Sequence, residues 1–255
     1  LSGAVFEPKS LFELFPEEAK DCPTLSTPVV KDDLFWLTGE NKSIKVPSWL
    51  MPKSLHNKGN YIISLGELCQ WISEKAIELG VDIFPGFPAQ SYLKDESGRI
   101  IGISTGDMGI DKEGNQKGTY TPGMDILAKQ TIFAEGARGH LGKQLIKDFN
   151  LDEGKTPQHF AIGFKEIWEV ENEKHSPGDV VHTMGWPLNE GTTGGGFLYH
   201  FDNKRVAVGL IVDLNYTNSS HNPFQEFQQF KKHPKVKQFL DSGKRISYGA
   251  RAITK

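Results

Sequence analysis

Two cysteines, Cys22 and Cys69, are the only thiols in 255 residues. They stand far apart, form no metal-spacing motif, and fit a reducing compartment. Eight histidines show no His-x-His or His-Glu-x-x-His pattern, so nothing in the spacing points to a protein-held metal. An excess of charge is also missing: 29 Lys and Arg stand against 32 Asp and Glu, for a net charge of −3. That balance lacks the basic stripe a nucleic-acid partner needs. No run of about 18 apolar residues occurs, so these residues encode no transmembrane helix. There is no Gly-x-Gly-x-x-Gly turn, and Gly142-Lys143 is followed by Gln144, which rules out a Walker A loop. No Ser/His/Asp or Cys/His constellation stands out, and no carboxylate pair has helical spacing in an apolar setting suited to acid/base work.

What remains is a globular composition, 37% hydrophobic and 24% charged, long enough for one large or two modest domains. The chain starts at Leu1 and stops at Lys255 just after Gly-Ala-Arg-Ala, so it reads as part of a longer protein. The organising stretch is Thr131–Leu145. Thr131 to Ala134 is a β-branched apolar run that predicts a buried strand, Glu135 to Gly139 a glycine turn, and His140 onward a helix. A strand breaking at glycines into a helix gathers backbone N–H groups at one spot, which suits a phosphate or a flavin edge. An ordinary strand–turn–helix of an α/β sheet fits the same residues.

Around that stretch, Leu11, Phe12, Leu14 and Phe15 form a compact apolar cluster, with Ser10 as a candidate cap and Pro16 as a stop. The cluster reads as a core helix turn or as an interfacial membrane segment. Residues 22–58 are proline-rich turns with short strands such as 34–37. Residues 65–79 show the clearest helical spacing, at Leu65, Leu68, Cys69, Ile72, Ala76 and Leu79. Gly80 follows as a stop, and a strand is expected at 81–84. Residues 90–134 predict an antiparallel meander, 157–212 a second, mostly β region, 222–240 helices broken at His233-Pro234, and 243–252 a last strand. Gly194-Gly195-Gly196 clears side chains from a β region, which fits either a bulge or a flat ligand lying on the backbone.

The series LSGA at 1–4, LFELFP at 11–16, GNYIISLGEL at 59–68, TIFAEGARGHLGKQL at 131–145, GWPL at 185–188, GGGFLYH at 194–200, FQQFKKHP at 227–234 and GKRISYGARA at 243–252 resembles the electron-transfer flavoprotein:ubiquinone oxidoreductases. The resemblance runs over essentially the whole chain. It implies an α/β plus antiparallel β fold, in which an FAD/NAD(P)-binding, glutathione-reductase-like domain is interrupted by a mostly β quinone-binding domain. On that basis residues 1–156 are an FAD-domain portion with a membrane-associated N-terminal segment and the meander insert. Residues 157–242 are the ubiquinone-binding domain, and 243–255 a return strand toward the FAD domain.

The resemblance further implies an enzyme that passes electrons from reduced electron-transfer flavoprotein, through FAD and a [4Fe–4S] cluster, to ubiquinone. Such an enzyme links fatty-acid and amino-acid oxidation to the respiratory chain. It is monotopic on the mitochondrial inner membrane or the bacterial cytoplasmic membrane, with no nucleic-acid partner. The cluster ligands and the glycine fingerprint are expected outside these residues, and the 255 residues alone are expected to be colourless and inactive.

Residue by residue, the resemblance places Ser2, Gly3, Ala4, Glu135, Gly136 and Gly139 at FAD, and Gly194 and Gly195 at ubiquinone. It places Leu11, Phe12, Leu14 and Phe15 at the membrane. Ser64 departs from the family pattern, which often has arginine there. A related FAD-dependent reductase or hydroxylase without the cluster, geranylgeranyl-reductase-like, is the alternative that the same pattern supports.

Overall fold

The structure is a computed structural model that describes residues 3–171, 173, 175–188 and 191–254. Ser2 lies outside the described residues. The chain forms two compact units, Leu1–Gly80 with His159–Lys255, and Val81–Gln158.

The first unit opens with β1 (Gly3–Phe6), α1 (Lys9–Leu14), β2 (Lys31–Gly39), β3 (Lys42–Val46), β4 (Tyr61–Ser64) and α2 (Leu65–Glu78). Ser64 caps α2: its side chain accepts from Glu67 N at 3.3 Å. A residue that departs from the family pattern therefore serves as a helix start. The helix ends before Gly80, whose φ of +85° suits glycine. Of the face that the spacing predicts, Leu68 is buried and Ile72 packs beside it, whereas Leu65, Cys69 and Leu79 are exposed.

The second unit holds β5 (Ala89–Lys94), β6 (Ile100–Thr105), β7 (Met108–Ile110), β8 (Gln116–Thr121), β9 (Asp125–Leu127) and α3 (His140–Asp148). β5, β6 and β9 form an antiparallel sheet, and β7 pairs with β8, as the expected meander requires. Tyr92 packs against Phe149 and Phe133, with ring centroids 6.3 and 6.5 Å away, and its hydroxyl bonds Asp148.

Two expected strands are absent: neither 81–84 nor 131–134 forms a ladder. Among the described residues no strand pairs with either segment, and an extended run without a partner exchanges its backbone bonds with water. Ile132 is accordingly 85% exposed.

The first unit resumes with β10 (Phe160–Glu169), β11 (Asp179–Gly185), β12 (Gly194–His200), β13 (Arg205–Asp213), α4 (Pro223–Lys232), α5 (Pro234–Leu240) and β14 (Lys244–Thr254). These strands join β2 and β3 in one seven-stranded sheet, in the order β14-β10-β13-β12-β11-β2-β3. The expectation of an antiparallel second sheet needs one correction. β2 is a nine-residue strand that runs parallel to β11, making the sheet mixed. The 22–58 region reads as turns because its prolines lie outside β2 and β3.

Side chains alternate across this sheet. One face carries Leu198, Val206, Val208, Leu210 and Val212, which pack with Phe227 and Phe230 of α4 and Val236 and Leu240 of α5. Each fully buried phenylalanine contributes on the order of 1.5–3 kcal/mol. Glu166, 2% exposed, ties three elements on that face. It receives Lys231 Nζ at 2.9 Å, Arg245 Nη1 at 3.1 Å and Trp168 Nε1 at 2.8 Å. The opposite face buries Ile167, Phe197 and Ala207 near Ile62 of β4 and Val5 of β1.

Three of the four residues expected at a membrane pack inward instead. Leu11 is buried among Ala19, Cys22, Ile63 and Leu68, with Phe12 and Phe15 against the same cluster. Phe15 meets Trp71 edge-on at 5.3 Å. Leu14 alone points out, 68% exposed. Ser10 does not cap α1, which begins after Pro8 without a side-chain cap.

At the end of β12, His200 stacks on His175 with the Nδ1 atoms 3.0 Å apart. Burial, then the charges of His175 and Lys31, pull the pKa of His200 down to about 4. The unfolded chain binds that proton near pH 6.5 and the native state does not. Stability is therefore full above pH 6.5 and declines as pH falls toward 4, by about 3 kcal/mol from this group. We expect His200→Phe to flatten the fall in the urea midpoint between those pH values. A slope equal to that of the wild type would show that the imidazole is not the group responsible.

Candidate functional site

A cleft of about 680 Å³ opens in the first unit, on the sheet face turned away from α4 and α5. Its walls come from Gly163 and Lys165 of β10, Phe197 and Tyr199 of β12, Ile211 of β13, the Gly249–Arg251 stretch of β14, and Gly3–Val5 of β1. Alternation along β12 puts Phe197 and Tyr199 on the same face, with their rings stacked 4.6 Å apart at 20°. Lys165 Nζ donates to Gly3 O and lies 5.5 Å from the centre of the Phe197 ring. Burial lowers the pKa of this ammonium. Gly163 leaves the floor open: a Cβ there would meet only Ile211 Cγ1 at 3.7 Å and Arg251 O at 3.9 Å, ordinary contacts.

Beside the cleft lies a half-buried polar chain. The Tyr199 hydroxyl is 3.2 Å from His182 Nε2, and His182 Nδ1 is 4.0 Å from Asp32 Oδ1. The other Asp32 oxygen accepts from Asn57 N at 2.8 Å and Asn57 Nδ2 at 3.0 Å, and Asn57 is itself anchored to Leu55 O. Asp32 Oδ1 and His182 Nδ1 are buried and have no hydrogen-bond partner. Burial lowers the pKa of His182, with the Asp32 charge opposing the shift. Burial and the same carboxylate push the Tyr199 phenol well above its ordinary value.

The residues expected at cofactors fall into separate places. Gly3 and Ala4 line the cleft. Gly194 and Gly195 open β12, opposite Val212 and Ile211. They are not cleft walls, although Ile211, the partner of Gly195, is one. The glycine run also has a packing cause. A Cβ at Gly195 would lie 2.7 Å from Thr183 O, and one at Gly196 would meet Thr183 Oγ1 at 2.7 Å and the Phe230 ring.

Glu135, Gly136 and Gly139 belong to the second unit. There the Glu135 carboxylate accepts from Leu141 N at 3.1 Å and Gly142 N at 2.7 Å, capping the start of α3. Gly139 permits the approach, since a Cβ there would sit 2.8 Å from Glu135 Cδ. Two of the amide groups at the helix start that the sequence offered to a phosphate, those of Leu141 and Gly142, are thus engaged by the chain's own carboxylate. Among the described residues no group of three or more His, Cys, Asp or Glu could hold a metal.

Sequence reasoning missed Lys165 and the Asp32–His182–Tyr199 chain. Asp32 stands far in sequence from His182 and Tyr199, which belong to consecutive strands, and only the β2–β11–β12 register brings the three together. No spacing rule signals such a set.

Comparison with known proteins then bears on the same residues. A family model described as "ETF-QO, ubiquinone-binding" matches residues 160–253. Over 256 aligned residues, the chain is 58% identical to the electron transfer flavoprotein-ubiquinone oxidoreductase of Pseudomonas aeruginosa, covering 100% of this chain and 46% of that one. Over its whole length the chain is thus similar to electron transfer flavoprotein-ubiquinone oxidoreductases, and residues 160–253 match the ubiquinone-binding model of that family. A mitochondrial member from Bos taurus is 46% identical, covering 99% of this chain and 41% of its own length. The chain therefore spans about half the length of the curated relatives it matches. In three dimensions it is similar to a geranylgeranyl bacteriochlorophyll reductase-like protein from Thermoplasma acidophilum. That match has a TM-score of 0.66 at 16% identity, covering 99% of this chain and 55% of the other. At that identity the likeness shows a shared fold and nothing more.

The cap geometry of α3 makes a prediction. Glu135→Ala leaves two helix-start amides without their acceptor, at a cost of about 1 kcal/mol to the first turn. Hydrogen exchange at Leu141 and Gly142 should accelerate several-fold, whereas unchanged protection would mean that Glu135 does not hold the turn.

Proposed function

We propose that this chain forms the ubiquinone-reducing part of an electron transfer flavoprotein-ubiquinone oxidoreductase, and that the cleft over β10, β12, β13 and β14 is where the redox ligands meet. The observation that carries the reading is positional. Apart from Gly3–Val5, the walls of the cleft all fall within residues 160–253, the span that the ubiquinone-binding family model matches.

The walls fit flat, conjugated ligands. Phe197 and Ile211 supply apolar surface, and the glycines at 163 and 249 let a ring approach the backbone. On this reading Gly3 and Ala4 are FAD contacts of the first unit, and Glu135, Gly136 and Gly139 are FAD contacts of the second. Gly194 and Gly195 lie outside the cleft walls but adjoin them through Ile211, and they are the proposed neighbours of a ubiquinone carbonyl that reaches past that side chain. When bound, FAD supplies the electrons that ubiquinone accepts. The chain's own residues bind, orient and exclude water. The Lys165 ammonium, already partly desolvated, favours negative charge arriving in the cleft. A [4Fe–4S] cluster needs four thiolates, more than Cys22 and Cys69 provide, so we place its ligands outside these residues. Electron-transfer flavoprotein is the proposed donor.

Peripheral attachment to a mitochondrial inner or bacterial cytoplasmic membrane belongs to the same proposal. Among the described residues no helix is long and apolar enough to cross a membrane. Within α1 the exposed Leu14 is the side chain free to enter lipid.

Gly163→Phe tests the cleft, because its new side chain would project into open space with only ordinary contacts at the Cβ. In the full-length, FAD-loaded protein, we expect short-chain ubiquinone to bind at least tenfold more weakly by calorimetry while the melting temperature holds. An unchanged dissociation constant would move the quinone elsewhere.

A further inference from the structure

Resting on that reading of the cleft, we propose that Asp32, His182 and Tyr199 form a proton relay that delivers one of the two protons needed when the cleft's quinone is reduced. The argument begins with two atoms. Asp32 Oδ1 and His182 Nδ1 are buried, 4.0 Å apart, and neither has a hydrogen-bond partner. A buried carboxylate oxygen and a ring nitrogen left unmade are costly. An approach of about 1 Å would bring the pair within hydrogen-bond range. Asn57 grips the other oxygen of the same carboxylate through two bonds, which aims Oδ1 at the imidazole. The second ring nitrogen meets the Tyr199 hydroxyl at 3.2 Å, and Tyr199 is a wall of the cleft. The chain of groups therefore runs from an anchored anion, through an imidazole, to a phenol at the ligand's edge, the order in which a carboxylate orients a base or acid in other relays.

The step balances as follows. A quinone becomes a quinol by taking two electrons and two protons. The electrons are those that the proposed function delivers. As negative charge builds on the quinone oxygen, the Tyr199 O–H bond breaks and a new O–H bond forms on the ligand. The proton on His182 Nε2 passes to the phenolate oxygen and restores Tyr199. His182 enters the step as the imidazolium, which the Asp32 charge favours against burial and which takes its extra proton from solvent between turnovers, and it leaves as neutral imidazole with its remaining proton on Nδ1. The second proton reaches the other quinone oxygen from solvent. Asp32 and His182 are positioning and relay groups, and Tyr199 is the one that meets the ligand. The charged and titratable groups facing His182 are Asp32 on β2 and Tyr199 on β12. Lys165 stands on β10, two strands beyond Tyr199 and against the Phe197 ring.

The FAD-loaded protein and three variants, Tyr199→Phe, His182→Gln and Asp32→Asn, test this. Tyr199→Phe removes a single oxygen and keeps the ring stacked on Phe197, so it serves even if a charge-changing variant folds poorly. We expect quinol formation in a single turnover to slow about 100-fold in Tyr199→Phe and His182→Gln, the scale of general acid catalysis, with short-chain ubiquinone binding as in the wild type in His182→Gln, whose side chain does not meet the ligand. A second readout does not depend on turnover: NMR titration of the His182 imidazole. Asp32→Asn should lower its pKa, because the Asp32 charge is what holds it up, and the fall in rate with rising pH should move to lower pH with it. Unchanged rates in Tyr199→Phe and His182→Gln, in a protein whose cleft Gly163→Phe still blocks, would overturn the relay and leave the cleft reading intact. If Gly163→Phe leaves ubiquinone binding unchanged, the cleft reading fails, and the relay fails with it.

Discussion

The ring of Phe230 lies where a side chain at residue 196 would have to be, and much of the first unit follows from that contact. Only glycine lets α4 approach β12 so closely, and the approach buries Phe227 and Phe230 against Leu198, Val208, Leu210 and Val212. Once α4 is seated, Lys231 reaches Glu166, and Arg245 of β14 joins the same carboxylate. The carboxylate carries three donors, so its burial is compensated. Removing any one donor would leave charge short of partners in a low-dielectric setting. One helix face, one glycine and one carboxylate thereby fix the relative placement of β10, β12, β14 and α4.

Covering one face of the sheet so completely determines what the other face can be. Strands alternate, so each residue sent to α4 and α5 leaves its neighbours facing the cleft. Leu198 faces the helices, and Phe197 and Tyr199 therefore face the cleft. Leu210 and Val212 face the helices, and Ile211 faces the cleft. The aromatic wall and the packed core are two readings of the same five or six residues on each strand. A one-residue slip in the β12–β13 register would empty both at once.

How much of this was legible in the sequence depends on whether the signal is local. The helix over 65–79, its stop at Gly80, the break at His233-Pro234 and most of the meander expected over 90–134 rest on periodicity, glycine and proline stops and short-range alternation, and the structure forms them there, the last meander strand ending at Leu127. The expected strands at 81–84 and 131–134 carry equally good β-branched runs, yet a strand exists only with a partner, and residue type does not encode one. The Leu11–Phe15 cluster leaves its two readings, core turn and interfacial segment, undivided for a related reason. Apolar residues beside charges look the same whether lipid or protein covers them, and here Ile63, Leu68 and Trp71 do so for three of the four. Glu135 shows a finer limit. The turn was legible as a helix start, but which anion occupies it, a ligand's or the chain's own, depends on Gly139 admitting the Glu135 side chain.

The candidate site lies at the far end of that scale. Its apolar walls could be anticipated from the aromatic β12, but its polar chain could not, because Asp32, His182 and Tyr199 belong to strands joined by one parallel and one antiparallel pairing. The parallel pairing sets Asp32 across from Val180, one step of the alternation from His182 on the same face. The antiparallel pairing sets Val180 across from Tyr199. The departure of this sheet from the antiparallel arrangement that its sequence suggests is thus the same feature that lines an anchored acid, an imidazole and a phenol along one route to the cleft.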